Sequence, residues 1–215
     1  MRIDVSTISP SKIVCVGRNY ADHAKELGNE VPNAPLLFLK ATSANIMSGE
    51  SIVLPPQSEQ VEHEGELAVV IGTDCKNIRD DENAFKNILG YTCLNDVTAR
   101  DIQRADVQFT RGKSFDTFCP LGPVIETDLD VSNLRVTTRV NEILRQDGNT
   151  SQMVFPVDFL IRYISRHMTL KRGDIIATGT PSGVGRLEDG DTCDVTIDGI
   201  GTLTNPVTSS TDAFA

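Results

Sequence analysis

The chain has no Cys-x-x-Cys pair. Its five cysteines, Cys15, Cys75, Cys93, Cys119 and Cys193, are odd in number and widely spaced. That excludes a disulfide framework and a zinc site and fits the reduced thiols of a cytosolic protein. No apolar run is long enough to cross a bilayer, and the opening MRIDVSTISP lacks the apolar core of a signal peptide. The expected location is the cytoplasm, with no membrane partner. Positive charge is scarce: 20 Lys and Arg stand against 30 Asp and Glu, a net charge of −10. Phosphate backbones would repel such a chain, so no nucleic-acid partner is expected. Repeats and low-complexity tracts are missing, and so is the regular βαβ alternation of a doubly wound parallel sheet.

What remains is ordinary globular material, 39% hydrophobic and 23% charged over 215 residues. That is enough for a single domain with its own core. Short apolar, β-branched runs dominate. KIVCVG, LLFLK, ELAVVIG, GYTCLND, PLGPVIE, LRVTTRVN, DIIATG, CDVTIDG and IGTLTNPV all read as strands, with Gly17, Gly72 and Asn95–Asp96 as clear stops. Helices are predicted over residues 20–27, closed by Gly28, over 80–89, over the ARDIQRADVQ segment, and over 156–165. In the last, Phe159, Leu160, Tyr163 and Ile164 share one face. QDGN reads as a turn after strand-like ILR, and RGKSFD as a loop. The expected class is α+β, strand-dominated, with a mixed or antiparallel sheet. Cys15 and Cys93 fall inside strands and read as core.

Four features carry chemistry. Glu64 and Glu66 stand two apart at the start of a strand, where i and i+2 project to the same side. Paired carboxylates beside a buried strand are costly unless a cation neutralises them. Asp96 ends the next apolar strand, and consecutive strands often pair, so it can complete an all-oxygen cluster suited to Mg²⁺ or Mn²⁺. Glu62 shares the alternation and His63 is adjacent, so spacing alone leaves the ligand pair open. Second, His23 and Glu26 lie three apart on a predicted helix, in reach of one another, as in a carboxylate-oriented general base. Third, Arg100, Gln103 and Lys113 form a polar, basic set able to bind a substrate carboxylate or an enolate oxygen. Fourth, ATGTPSGVG brings Thr180 and glycine amides to an anionic ligand, without the Gly-Lys-Ser/Thr ending of a P-loop.

The order VGRNYADHAKE, EHEGELAVVIG, GYTCLNDVTARDIQ, RGKSFDTFCPLGP, GDIIATGTPSGVG resembles the fumarylacetoacetate hydrolase family over residues 11–201, and most of all its small single-domain members. The resemblance implies a mixed β-sheet roll, a homodimer, and Mg²⁺ or Mn²⁺ held by Glu64, Glu66 and Asp96. It makes His23 and Glu26 a water-activating dyad on a lid helix over 20–28. It sets Lys113 at the metal against a substrate oxygen, and Arg18, Tyr20, Arg100, Gln103 and Thr180 around the substrate. The implied activity is hydrolysis of a C–C bond in acylpyruvate-type 2,4-dioxo acids to pyruvate and a carboxylic acid. Oxaloacetate decarboxylation and isomerisation of 2-hydroxyhepta-2,4-diene-1,7-dioate type are the alternatives, and a non-catalytic metal- or carboxylate-binding protein is the remote one. The segment between Gln103 and Lys113 is short beside the acylpyruvase-like members of animal mitochondria, a difference at the substrate entrance. Residues 208–215 are expected to fray.

Overall fold

The structure, a computed structural model, describes residues 1–210. Strands dominate, as their β-branched runs predict. The largest sheet has eight strands. Its centre is Gly65–Ile71, buried along its whole length, flanked by Ile88–Asn95 on one side and Ile175–Ala177 on the other. Ile13–Gly17 follows, parallel to Ile175–Ala177, and Leu36–Lys40 closes that side. Cys119–Glu126 and Arg2–Asp4 lie beyond Ile88–Asn95, and Asn45–Met47 joins Cys119–Glu126. A five-stranded sheet runs in the order Ile143–Asn149, Arg135–Val140, Thr192–Ile197, Gly201–Ser209, Ile52–Leu54. A three-stranded sheet holds Gly185–Arg186, Val61–His63 and Thr98–Ala99. Two parallel pairs, Ile13–Gly17 with Ile175–Ala177 and Asn45–Met47 with Cys119–Glu126, among antiparallel neighbours make the large sheet mixed.

The main core lies between one face of the large sheet and the helix Val157–His167, with Val14, Leu67, Val69, Leu160, Ile161 and Ile164 in one apolar cluster. Burial of these side chains is the main stabilising term. All five cysteines are free, and Cys15 and Cys93 are fully buried, as read from their strands. Among the described residues no helix is long and apolar enough to cross a membrane.

Four local expectations are corrected. No helix fills residues 80–89: Asn83 caps a single 3₁₀ turn, Ala84–Asn87, and Ile88 already opens a sheet strand. The RGKSFD segment is not all loop, since Thr110–Lys113 is a short helix. QDGN is not a turn. It continues the strand Ile143–Asn149, and the chain reverses earlier at Asn141 and Glu142, both in the left-handed region. The helix over 157–167 buries Val157, Leu160, Ile161 and Ile164, whereas Phe159 is 43% exposed and stacks between Phe155 and Tyr163. Of the tail, Thr208 and Ser209 belong to the last strand and pair with Val53 and Leu54. Residues 211–215 lie outside the described residues.

Candidate active site

Gly65–Ile71 and Ile88–Asn95 run antiparallel with Gly65 opposite Asn95, and the Asp96 amide donates to the Glu64 carbonyl at 2.9 Å. This places Glu64, Glu66 and Asp96 together, all buried, each offering a carboxylate oxygen within 4.8 Å of the others. Neither of the alternative neighbours, Glu62 and His63, belongs to this cluster. Glu62 turns to Arg100 Nε at 2.7 Å and Gln60 Nε2 at 2.6 Å. His63 faces away, with Nδ1 at 3.1 Å from Gln146 Oε1. The strand breaks at Glu64, between Val61–His63 and Gly65–Ile71, so simple alternation does not run through it.

Three cations serve three of the four carboxylates, Glu62, Glu64 and Asp96. Lys113 Nζ donates to Glu64 Oε2 at 2.9 Å, Asp96 Oδ2 at 2.6 Å and Thr98 Oγ1 at 2.8 Å, and lies 5.0 Å from the Phe38 ring centre. Arg100 holds Glu62, Glu64 and, at 2.6 Å, Gln103 Oε1. Lys40 gives Asp96 Oδ1 a bond of 2.6 Å. Sequence reasoning missed Lys40, although a lysine closing the apolar run LLFLK is a visible anomaly. Burial works to raise the pKa of Glu64, yet Lys113 and Arg100 outweigh it and hold the carboxyl far below the ordinary range. Burial would discharge Lys113, but Asp96 and Glu64 keep it firmly protonated.

Glu66 is the exception. It accepts the Gly179 amide at 2.7 Å and, among the described residues, pairs with no cation. Burial first, then the charges of Asp96 and Glu64, push its pKa well above the carboxylate range. With all four carboxylates ionised, the three cations would leave one negative charge uncompensated, at a buried all-oxygen donor set. These residues fit a hard divalent cation such as Mg²⁺ or Mn²⁺.

The triad floors a cavity of about 440 Å³ that Arg18, His23, Glu26, Gln103, Lys113 and Thr180 also line. His23 is buried on the helix Ala21–Glu26, and its Nδ1 lies 3.4 Å from Glu26 Oε2. Glu26 is held in turn by the Gly183 amide, at 3.0 and 3.1 Å to its two oxygens. Gly183 has φ 97°, and a Cβ there would lie 2.1 Å from the Arg145 carbonyl, so only glycine fits. Asn19, also missed in the sequence, pins the root of this helix, donating to the Thr178 and Phe155 carbonyls at 2.7 and 3.1 Å. The expected substrate groups divide. Arg18, with φ 57°, lines the cavity and has no polar partner among the described residues. Arg100 also lines the cavity, while its guanidinium is held by Glu62, Glu64 and Gln103. Thr180 donates to the Gly65 carbonyl at 2.9 Å. Tyr20 does not line this cavity but a separate, smaller one, and its buried phenol has no hydrogen-bond partner among the described residues.

Residues 12–208 match the family described as fumarylacetoacetate (FAA) hydrolase C-terminal. The chain is 47% identical to oxaloacetate tautomerase YisK of Bacillus subtilis, over 92% of this chain and 70% of that one. The solved structure of 5-carboxymethyl-2-hydroxymuconate delta-isomerase from Mycobacterium smegmatis superposes with a TM-score of 0.89 at 50% identity, covering 95% of this chain and 81% of that one. Fumarylpyruvate hydrolase from Pseudomonas aeruginosa, solved in complex with Mn²⁺ and pyruvate, gives a TM-score of 0.89 at 28% identity, covering 98% and 96%.

Proposed function

Because the chain belongs to the fumarylacetoacetate hydrolase family, we propose that it is a divalent-metal-dependent enzyme moving a proton on a small 2-oxo diacid, interconverting keto and enol forms. The observation that carries this is the His23–Glu26 pair over the buried triad of Glu64, Glu66 and Asp96. The relatives at 47% and 50% identity, a tautomerase and an isomerase by name, support proton transfer over bond cleavage.

Glu64, Glu66 and Asp96 would hold Mg²⁺ or Mn²⁺. When bound, such an ion supplies Lewis-acid polarisation of the 2-oxo acid. The residues of the chain do the rest. His23 has Nδ1 turned to Glu26, which leaves Nε2 to take the proton from the carbon beside the oxo group and return it. Glu26 stabilises the imidazolium that this creates, and the Gly183 amide keeps Glu26 in place. Lys113, held protonated, favours the developing enolate charge beside Glu64 and Asp96. Arg18 is the group to bind the distal carboxylate of a diacid. Arg18→Ala should therefore raise KM for oxaloacetate on the order of 10-fold, the scale of one charge-assisted contact, and leave that for acetylpyruvate, which has no distal carboxylate, unchanged. Equal effects on both would remove Arg18 from that role.

A second reading, hydrolysis of an acylpyruvate-type C–C bond, is favoured by the same dyad, since a carboxylate-oriented imidazole also activates water. One assay separates the readings: decay of enol absorbance of oxaloacetate, and pyruvate release from acetylpyruvate and oxaloacetate, each with Mg²⁺ or Mn²⁺ and with EDTA. Metal-dependent ketonisation without pyruvate supports the tautomerase. Pyruvate from acetylpyruvate supports the hydrolase, and pyruvate from oxaloacetate alone a decarboxylase. The assembly we propose is the homodimer that the resemblance implies, to be tested by sedimentation.

A further inference from the structure

Gln146 lies outside the cavity, on the strand Ile143–Asn149 of the five-stranded sheet, and is completely buried. All four hydrogen-bonding positions of its amide are filled. Nε2 donates to Thr180 Oγ1 at 2.7 Å and to the Pro181 carbonyl at 2.8 Å. That fixes the amide's orientation, so Oε1 is the acceptor, taking the Gly65 amide at 2.9 Å and His63 Nδ1 at 3.1 Å. His63 must then carry its proton on Nδ1. Thr180 accepts from Gln146 and passes its own proton on to the Gly65 carbonyl.

Both polar groups of Gly65, the residue between Glu64 and Glu66, are thus tied to Gln146, one directly and one through Thr180. No side chain fits at Gly65, because a Cβ would lie 2.2 Å from Thr138 Oγ1. The same loop, residues 179–183, sends the Gly179 amide to Glu66 and the Gly183 amide to Glu26. One buried amide therefore sits where the strand bearing two carboxylates meets the loop that holds Glu66 and the partner of His23.

We propose that Gln146 is a positioning residue that locks the Glu64–Gly65–Glu66 backbone to the 179–183 loop, setting the carboxylate geometry for the cation and the hold on Glu26 together. It touches neither substrate nor cation. The proposal rests on the reading of the triad as a metal site, and on the general finding that groups orienting metal ligands govern affinity.

The test is Gln146→Met, which keeps the side-chain length, removes every hydrogen bond and adds no charge that would itself perturb a cation. Mg²⁺ and Mn²⁺ affinities are measured by calorimetry on the full chain, with amide hydrogen exchange at Gly179 and Gly183. Leu160→Ala, a truncation in the core of the helix Val157–His167, serves as an equally destabilised control. The expected result for Gln146→Met is a Kd weaker by about 10–100-fold, with faster exchange at both glycines, and neither change in Leu160→Ala. Should Gln146→Met not fold, Thr180→Val removes the hydroxyl between Gln146 and Gly65 and carries the same comparison. A lowered Tm with wild-type Kd and wild-type protection at both glycines would overturn the proposal and leave Gln146 merely structural. Absence of cation binding by the wild-type chain would overturn the metal reading itself, and the proposal with it.

Discussion

At the residue scale, the site is a problem in charge balance. Four buried carboxylates stand against Lys40, Arg100 and Lys113, and the remainder falls on Glu66. The folded pKa of Glu66 is raised by burial, then by Asp96 and Glu64, so the metal-free fold favours its protonated form. Its contribution to stability is present below the unfolded carboxylate value of about 4.3 and is lost as pH rises from there toward the raised value. Glu64 has the opposite sign. With its pKa held low, its contribution is present above about 4.3 and lost as pH falls below it. In EDTA, Tm should therefore decline as pH rises above the carboxylate range, and Mg²⁺ or Mn²⁺ should remove that decline. The gain in Tm on adding metal then grows with pH, and Glu66→Ala should abolish it. A gain that is constant with pH would show that Glu66 is not the uncompensated charge.

These residues were unequally legible. The carboxylate-rich segment and Asp96 at the end of the next strand could be read from local rules, but spacing left Glu62 as an alternative, and the choice of Glu64, Glu66 and Asp96 came from the family resemblance. Lys40 could not be placed, because it reaches Asp96 from a strand separated by 56 positions. The positive charge of Arg100 was visible, but its bonds to Glu62 and Glu64, 38 and 36 positions away, were not, and they add support of a carboxylate to its place in the cavity wall.

At the scale of elements, strands bounded by glycine or turn residues were readable, and boundaries set by tertiary pairing were not. The QDGN segment has turn composition, yet Gln146 and Gly148 are drawn into a strand because one fills its amide's partners and the other packs against Pro181. Residues 80–89 lose their helix because Ile88–Asn95 pairs with Gly65–Ile71, and the Asn87 carbonyl accepts the Gly72 amide at 2.7 Å. In the helix Val157–His167, the stripe read as Phe159, Leu160, Tyr163 and Ile164 is rotated by packing, which buries Val157, Leu160, Ile161 and Ile164 instead. Leu160→Ala should then cost about 2–5 kcal/mol in urea unfolding. Phe159→Ala, which loses only stacking on an exposed face, should cost about 1 kcal/mol. Equal costs would contradict the assigned orientation of the helix.

At the scale of the whole molecule, three sheets meet so that one loop, residues 179–183, touches the carboxylate strand, the helix carrying His23 and the strand carrying Gln146. The strand-dominated class was legible because so few segments have helical periodicity. The division into three sheets was not, since it depends on pairings such as Ile13–Gly17 with Ile175–Ala177 that cross most of the chain. The formal net charge of −10 is mostly external to the site, whose four carboxylates and three cations would contribute only −1 even with Glu66 ionised. An acidic balance opposes polyanions electrostatically, while Arg18, in the cavity wall and without a polar partner among the described residues, supplies the positive charge that the proposed diacid substrate calls for.

The central claim is metal-dependent proton transfer by His23. It is tested most directly by following oxaloacetate ketonisation with the wild-type chain and with His23→Ala, in Mg²⁺ or Mn²⁺ and in EDTA. The account predicts catalysis only with metal, a fall of about 10²–10⁴ in kcat for His23→Ala, and unchanged cation affinity in that variant. Catalysis that survives EDTA, or that His23→Ala retains in full, would contradict it.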